Sequence, residues 1–423
     1  MKITHIHIER FRGFQNEDFE VGSLLTAIAG QNGTQKSTLL GIITQTFTLK
    51  TEDSMRVEKP LCGGSYISAF KDKFRLSPTF DKPKGHEWTI SFDAGMDDFT
   101  VESIKRTGDP NVRFWKKGAR QEGDGYISFP TIFLSLKRLV PVAEEAKIIT
   151  DDTLLTQEEL NEFKQLHNKI LIAQTPISSA TTITSKNKQS IGVSTELYDW
   201  NQNSMGQDNL GKIILALFSF KRLHDKYPRQ YKGGILAIDE MDATMYPASQ
   251  VELLKVLRKY ASKLNLQILF TTHSMSLLKA MDDLVQEVTK KEETANQAKI
   301  LYLKKVDDKI AIKQGVNFKG IQLDLNVVAE GNNRKKNRIT AYMEDKENIL
   351  FVKAILKSKA FVLDFVDVTL PCSTLMELVT KRVPAFIYPY SIVILDGDVR
   401  MNKNDLRKIN NADNILILPG NKS

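Results

Sequence analysis

"AIAGQNGTQKSTLLGII", residues 27–43, decides the fold. An apolar run, a glycine-bearing turn and a second apolar run opening on Lys36-Ser37-Thr38 follow one another. That is the order of a phosphate-binding loop. Backbone N–H groups at a helix N-terminus cradle anionic oxygens there, and a lysine reaches the outer phosphates. The template G-x-x-x-x-G-K-[ST] has glycine before the lysine, and Gln35 occupies that position. If φ at position 35 is positive, glutamine costs on the order of 1 kcal/mol relative to glycine. If φ is negative, the cost is small and the amide points away. With Lys36 and Ser37 intact, the expectation is a loop that still binds nucleotide and turns it over slowly, closer to a nucleotide-held switch than to a motor.

Working outward, three later stretches carry matching chemistry. "ILAIDE", 235–240, is an apolar strand ending in two acids. It delivers Asp239 and Glu240 to the C-terminal end of a sheet, where open α/β sheets bind ligands. One acid suits Mg²⁺, the other a proton from an attacking water. "ILFTTHS", 268–274, repeats the pattern with His273 at the strand end. "NSMGQDN", 203–209, precedes a long helix, whose N-terminus offers free N–H groups to an anion around Ser204 and Gly206.

The rest of the chain supports an α/β protein of more than one domain. It has 423 residues, 41% of them hydrophobic. No run approaches the ~18 apolar residues of a membrane span. The two cysteines, Cys62 and Cys372, suit a reducing cytoplasm and exclude a disulfide scaffold or a cysteine-based zinc site. A net charge of +8 permits nucleic acid as a partner without requiring it.

"ITHIHIERFRGF", 3–14, reads as an edge or half-buried strand, with His5 and His7 on its solvent side and no carboxylate evident to join them. A β-rich region runs to about 140, broken by turns such as Gly108-Asp109-Pro110. In it "HEWTISFDA" and "FTVESIKR" form a hairpin, and "PTIFLSLKRLVP", 130–141, is a buried strand. "TQEELNEFKQLHNKILIA" is a helix with a Thr156…Glu159 capping box. "SSATTITSKNKQS", 178–190, is expected to be a mobile loop. From 208 the pattern is helix "DNLGKIILALFSFKRLHDKY", strand "GILAID", helix "PASQVELLKVLRKYASKL" and strand "LQILFTTH". A charged helix near 282–298 and strands "AKILYLKKV" and "KIAIKQG" follow. The basic link "EGNNRKKNR" marks a boundary near 335, dividing the chain into 1–335 and 336–423.

Taken together, the first 330 residues resemble the ABC-type ATPases of chromosome maintenance and recombination. "RFRGF" resembles their N-terminal strand motif and "GQNGTQKST" their phosphate loop. "NSMGQD" resembles the signature, "ILAIDE" the Walker B strand, "MDAT" the D-loop and "TTHS" the switch histidine. The resemblance implies ATP and Mg²⁺ as cofactors. ATP would be held by Gly30, Asn32, Gly33, Lys36, Ser37 and Thr38, with Arg12 and His273 also at the nucleotide. Ser37 and Asp239 would serve Mg²⁺, and Glu240 would position water. Ser204, Gly206 and Gln207 would complete the site of a second copy, which implies at least a head-to-head homodimer. About 170 residues without heptads separate loop and signature, so a long coiled-coil arm is excluded.

Residues 338–423 alternate strand and helix: "ITAYME", "KENILFVKAILKS", "FVLDFVDV", "STLMELVTKRV", "SIVILD", "NKNDLRKINNA", "NILILPG". This is a small parallel sheet. Glu344, Asp345 and Glu347 follow one strand, and Asp396 and Asp398 of "DGD" follow another, converging acids of the kind a hard divalent cation takes. The segment resembles a TOPRIM domain that ends early, with Glu344, Asp396 and Asp398 as catalytic metal ligands. Glu344-Asp345-Lys346-Glu347-Asn348 departs from that family's E-G-x-x-E, and the chain stops after the fourth strand, before further family acids and a lysine.

An ATPase head followed by such a domain resembles the overcoming-lysogenisation-defect (OLD) nucleases of antiphage defence, including Gabija-type and retron-associated effectors. The implied activity is ATP-gated, Mg²⁺-dependent cleavage of DNA. Arg334, Lys335, Lys336 and Arg338 would neutralise phosphates. The alternative is an assembly or sensor subunit with a degenerate TOPRIM domain, holding a separate nuclease, as in Septu-type systems, or a reverse transcriptase with its DNA. A recombination or repair ATPase without its own nuclease is the third reading. No membrane partner is expected.

Overall fold

The computed structural model describes residues 1–66, 70–93, 95–105, 112–118, 125–139, 149–151, 154–173, 175–184, 189–197, 199–330, 339–386, 391–410 and 412–420. The chain forms two compact units, Met1–Leu323 and Asp324–Ser423. Their division falls inside helix Phe318–Glu330. The sequence-based boundary at 335 lies outside the described residues, as do Arg334, Lys335, Lys336, Arg338 and the turn at 108–110.

The first unit is built on two main sheets. One is antiparallel, in the order Phe14–Glu20, Ile3–Phe11, Glu87–Phe92, Phe99–Lys105, Val112–Lys116. Ile3–Phe11 alternates buried and exposed residues, as expected of a half-buried strand, but it pairs on both sides and is not an edge. The expected 87–105 hairpin forms, with Trp88 opposite Val101. The other sheet is mixed, in the order Lys309–Lys313, Ala298–Val306, Leu25–Gly30, Leu266–Thr272, Gly234–Ile238, Thr131–Leu134. All its pairings are parallel except that of the Lys309–Lys313 edge. Parallel strands are covered on both faces, which is why Leu25–Gly30, Gly234–Ile238 and Leu266–Thr272 are buried throughout.

Helix Lys36–Thr44 belongs to the core that both sheets share. Leu39, Leu40, Ile42 and Ile43 join Ile6, Ile8, Phe11 and Trp88 of the antiparallel sheet and Ile28, Ile235, Leu269 and Leu301 of the mixed one. A helix apolar on nearly every side is buried on every side, so the loop that starts it rests on a rigid base.

Three sequence-based expectations change here. The supposed loop at 178–190 is largely paired strand. Ser179–Thr184 and Gln189–Ser194 run antiparallel, with Ile149–Asp151 as a third strand. Ile183, Ile191 and Val193 are buried, and β-branched threonines favour the extended backbone. The strand expected at 130–141 ends at Leu134 and continues as a short 3₁₀ turn, Leu136–Leu139. The charged helix runs over Met275–Val288, earlier than expected, because Ser274 caps it by accepting the N–H of Leu277. His5 and His7 also have acidic company. Asp18, on the adjacent strand, lies 3.2 Å from His5 and 3.0 Å from His7.

The second unit contains a four-stranded sheet, all parallel, in the order Leu363–Phe365, Ile339–Met343, Ser391–Leu395, Ile415–Ile417. Apolar residues alternate between its faces. Val393 and Leu395 pack with Leu375 and Met376, whereas Ile394 packs with Ala341, Met343 and Val352. No helix among the described residues is long and apolar enough to cross a membrane.

Candidate functional site

The phosphate loop joins strand Leu25–Gly30 to helix Lys36–Thr44. Gly30 has φ 153°, and a Cβ there would lie 2.4 Å from the carbonyl oxygen of Leu303, so only glycine fits. Gly33 also has a positive φ, 79°. Gln35 sits at φ 61°, ψ 33°, in the left-handed region. Its Oε1 is buried without a hydrogen-bond partner among the described residues, and its Nε2 lies 3.1 Å from where a Cβ on Gly13 would stand. The Lys36 ammonium is buried and donates to the carbonyls of Gly30 (3.0 Å) and Gln31 (2.9 Å). Burial pulls its pKa down to about 8, against the opposing pull of Glu240, Asp239 and Asp242.

Those acids arrive on Gly234–Ile238, next but one to the loop strand. Ser37 Oγ donates to Asp239 Oδ1 at 2.9 Å. Thr271, at the end of the intervening strand, donates to the same oxygen at 2.7 Å and accepts the backbone N–H of Glu240 at 2.7 Å. One hydroxyl therefore orders both acids of "ILAIDE". Glu240 takes φ 49°, which turns the chain sharply after the strand. His273 follows from the Thr271 strand, its backbone N–H on Asp242 Oδ1 at 3.3 Å. Burial lowers its imidazole pKa, and the Lys36 charge lowers it further. Lysine, two acids and histidine from three adjacent parallel strands thus meet at one sheet end, as the sequence pattern required.

Helix Met205–Lys226 opens with Ser204 as N-cap and a capping box. The backbone N–H of Ser204 donates to Gln207 Oε1 at 2.8 Å, and the Gln207 N–H donates to Ser204 Oγ at 3.4 Å. Both residues thus shape the helix N-terminus. Gly206 is required by close approach, since a Cβ would stand 2.4 Å from the Thr244 carbonyl oxygen. Asn209 donates to the Ala243 carbonyl at 3.2 Å. The segment 241–244 therefore links the helix N-terminus to the acids at 239–240.

In the second unit, Glu344 and Asp396 end neighbouring strands, and the Asp396 N–H donates to Glu344 Oε1 at 3.4 Å. Burial raises the Glu344 pKa, and Asp396 and Asp398 raise it further. Asp396 is likewise raised, by burial and then by Asp345 and Asp398. Asp345 caps helix Lys346–Leu356 through the Asn348 N–H. Among the described residues, no three His, Cys, Asp or Glu side chains are grouped to hold a metal by themselves.

The donor sets fit a hard cation nonetheless. Mg²⁺ takes one or two carboxylates and completes its shell with phosphate oxygens and water. Ser37 with Asp239 offers such a partial set, and the mutually repelling acids of the second unit offer another. The buried Lys36 cation and the N-terminus of Lys36–Thr44 fit a polyphosphate.

Residues 134–278 match the AAA ATPase domain family. That segment carries the two acids, Thr271, His273 and the Ser204 helix. No curated protein sequence matches the chain. Among solved structures, the SMC head domain from Thermotoga maritima is similar at 14% identity and TM-score 0.41, over 75% of this chain and 100% of that one. An Smc head domain from Pyrococcus furiosus, with an extended coiled coil and bound to the C-terminal domain of ScpA, is similar at 13% identity and TM-score 0.41, over 78% and 99%. The recombination mediator protein RecF is similar at 12% identity and TM-score 0.37, over 74% and 98%.

Thr271 and Asp242 are the ordering residues that motif reading passed over. Both lie inside the motifs, Thr271 in "ILFTTHS" and Asp242 in "MDAT". The signal was a hydroxyl at the end of an otherwise apolar strand, beside the strand that bears the acids.

Proposed function

We propose that this chain binds ATP with Mg²⁺ and uses it to close two copies into a head-to-head dimer that acts on DNA. One observation supports this reading above the others. The Ser37 hydroxyl meets the Asp239 carboxylate across 202 residues of sequence, beside a buried lysine. Lys36 would neutralise the outer phosphates, with Gly30, Asn32, Gly33 and Thr38 lining the loop. Ser37 and Asp239 would hold Mg²⁺, which when bound supplies charge neutralisation to the β- and γ-phosphate oxygens. Glu240, fixed through Thr271, would accept a proton from water, and His273 would contact the terminal phosphate. Ser204, Gly206 and Gln207 would present a helix N-terminus to the nucleotide of the second copy, and Arg12 would contribute near the loop.

In the second unit, Glu344, Asp396 and Asp398 would hold Mg²⁺ against a DNA phosphate, giving ATP-gated phosphodiester cleavage of the OLD type in antiphage defence. Two measurements test the proposal. ATP binding in the presence of Mg²⁺ should be lost in Lys36→Ala. Metal-dependent nicking of plasmid should be lost in Asp396→Ala/Asp398→Ala; equal cleavage by both proteins rejects the nuclease half.

Asp345, which stands where the resembled E-G-x-x-E pattern has glycine and caps helix Lys346–Leu356 instead, favours a second reading. In it the head assembles with ATP and the second unit docks a separate nuclease or a reverse transcriptase. Co-purification of such a partner with an inert isolated chain supports that version.

A further inference from the structure

Beneath the turn at Arg12-Gly13 runs a polar chain whose inner members, Asp81, His86 and Ser103, are buried. Arg12 donates from Nε to Asp81 Oδ1 at 3.1 Å and from Nη2 to Asp81 Oδ2 at 3.0 Å. Its Nη2 also reaches the Arg75 carbonyl at 2.7 Å. Asp81 takes the Ser77 N–H at 2.7 Å and faces His86 Nε2 at 3.0 Å. His86 Nδ1 lies 3.0 Å from Ser103 Oγ. A carboxylate only accepts, so Nε2 carries a proton toward Asp81, while the Ser103 hydroxyl lies within reach of both Nδ1 and the Lys82 carbonyl (3.3 Å). Burial pushes the Asp81 carboxyl up, but Arg12, the Ser77 N–H and His86 together hold it below the usual range. Burial lowers the His86 pKa, and Arg12 and Arg10 lower it further against the pull of Asp81. The rings of Phe11 and Phe114 close over His86.

The trio repeats the residue types of a hydrolytic Ser-His-Asp site. Ser103 is wholly buried, however, and no substrate reaches it. The chain's output lies at its other end. Arg12, at φ 52°, forms the turn whose Gly13 stands against the Gln35 amide and whose carbonyl accepts the Ile310 N–H at 2.8 Å. Gln35 directly precedes Lys36.

We propose that Asp81, His86 and Ser103 are positioning residues for the nucleotide site. They hold Arg12, and through the Arg12-Gly13 turn they seat the phosphate loop at Gln35. The inference rests on the ATP-binding reading of that loop.

Because Asp81 acts through Arg12, its effect on ATP must vanish once Arg12 is gone, which a merely structural contribution would not do. Full-length protein is titrated with a fluorescent ATP analogue and Mg²⁺. Arg12→Ala and Asp81→Asn each weaken binding about tenfold, and the double variant is no weaker than either single one. Losses that multiply to about a hundredfold overturn the proposal, as does unchanged affinity in either single variant. If Asp81→Asn does not fold, the cycle is run on Ser103→Ala and Arg12→Ala with the same two outcomes. An affinity indifferent to Lys36→Ala would instead overturn the ATP reading, and this inference with it.

Discussion

Gln35 carries an open question from sequence to structure. Motif comparison marked it as a departure but left its cost undecided, because the cost depends on a dihedral angle that sequence does not state. With φ at 61° the residue pays the left-handed penalty, about 1 kcal/mol or somewhat more for a side chain with a Cβ. Its buried, unmatched Oε1 adds to that. Gln35→Gly should therefore raise thermal stability by about 1 kcal/mol, even though it removes the contact with the Gly13 turn. ATP binding should persist, since glycine restores the usual loop residue. A melting temperature lower than that of the native chain would mean that the amide's contacts outweigh the strain. The position of the neighbouring Lys36 and Ser37 at the start of helix Lys36–Thr44 was legible from residue type and spacing alone.

At the scale of elements, legibility followed periodicity. Helix Gln157–Leu171 was readable down to its cap, and Thr156 and Glu159 form the expected reciprocal bonds. The strand pair at 179–194 was not, because serine and threonine serve turns and strands alike. Only pairing and the burial of Ile183, Ile191 and Val193 resolve the ambiguity. Burial also determines what the helix does with His167. The residue stacks on Phe163 at 5.8 Å between ring centres, and among the described residues neither ring nitrogen finds a partner at hydrogen-bond geometry. Burial holds its pKa down, from 6.5 to about 4. Between those values the unfolded chain binds a proton that the folded chain refuses. Stability is therefore full above pH 6.5 and falls as pH drops toward 4, by about 3 kcal/mol in all. His167→Phe should flatten the decline in melting temperature across that window. An unchanged pH profile in this variant would assign the acid sensitivity to other groups.

At the scale of the molecule, the first unit brings Lys36, Asp239, Glu240 and His273, far apart in sequence, together at one end of three adjacent parallel strands. The second unit places Glu344 and Asp396 at the ends of neighbouring strands of a smaller parallel sheet. Glu344 and Asp396 are held above their usual pKa values by burial and by neighbouring carboxylates, so the folded unit stores repulsion that a bound cation would relieve. Millimolar Mg²⁺ without nucleotide should raise the melting temperature of the second unit's transition. A cation at 100 times its dissociation constant is worth about 2.7 kcal/mol. Asp396→Asn/Asp398→Asn should melt higher than the native chain in EDTA, because repulsion is gone, and should gain nothing from Mg²⁺. Ser37→Ala should leave the Mg²⁺ response of this transition intact, which separates it from the phosphate-loop cation. A native chain indifferent to Mg²⁺ would reject the acids as a standing cation site. It would leave them either a site completed only by a DNA phosphate or part of a docking surface, and plasmid nicking separates those two.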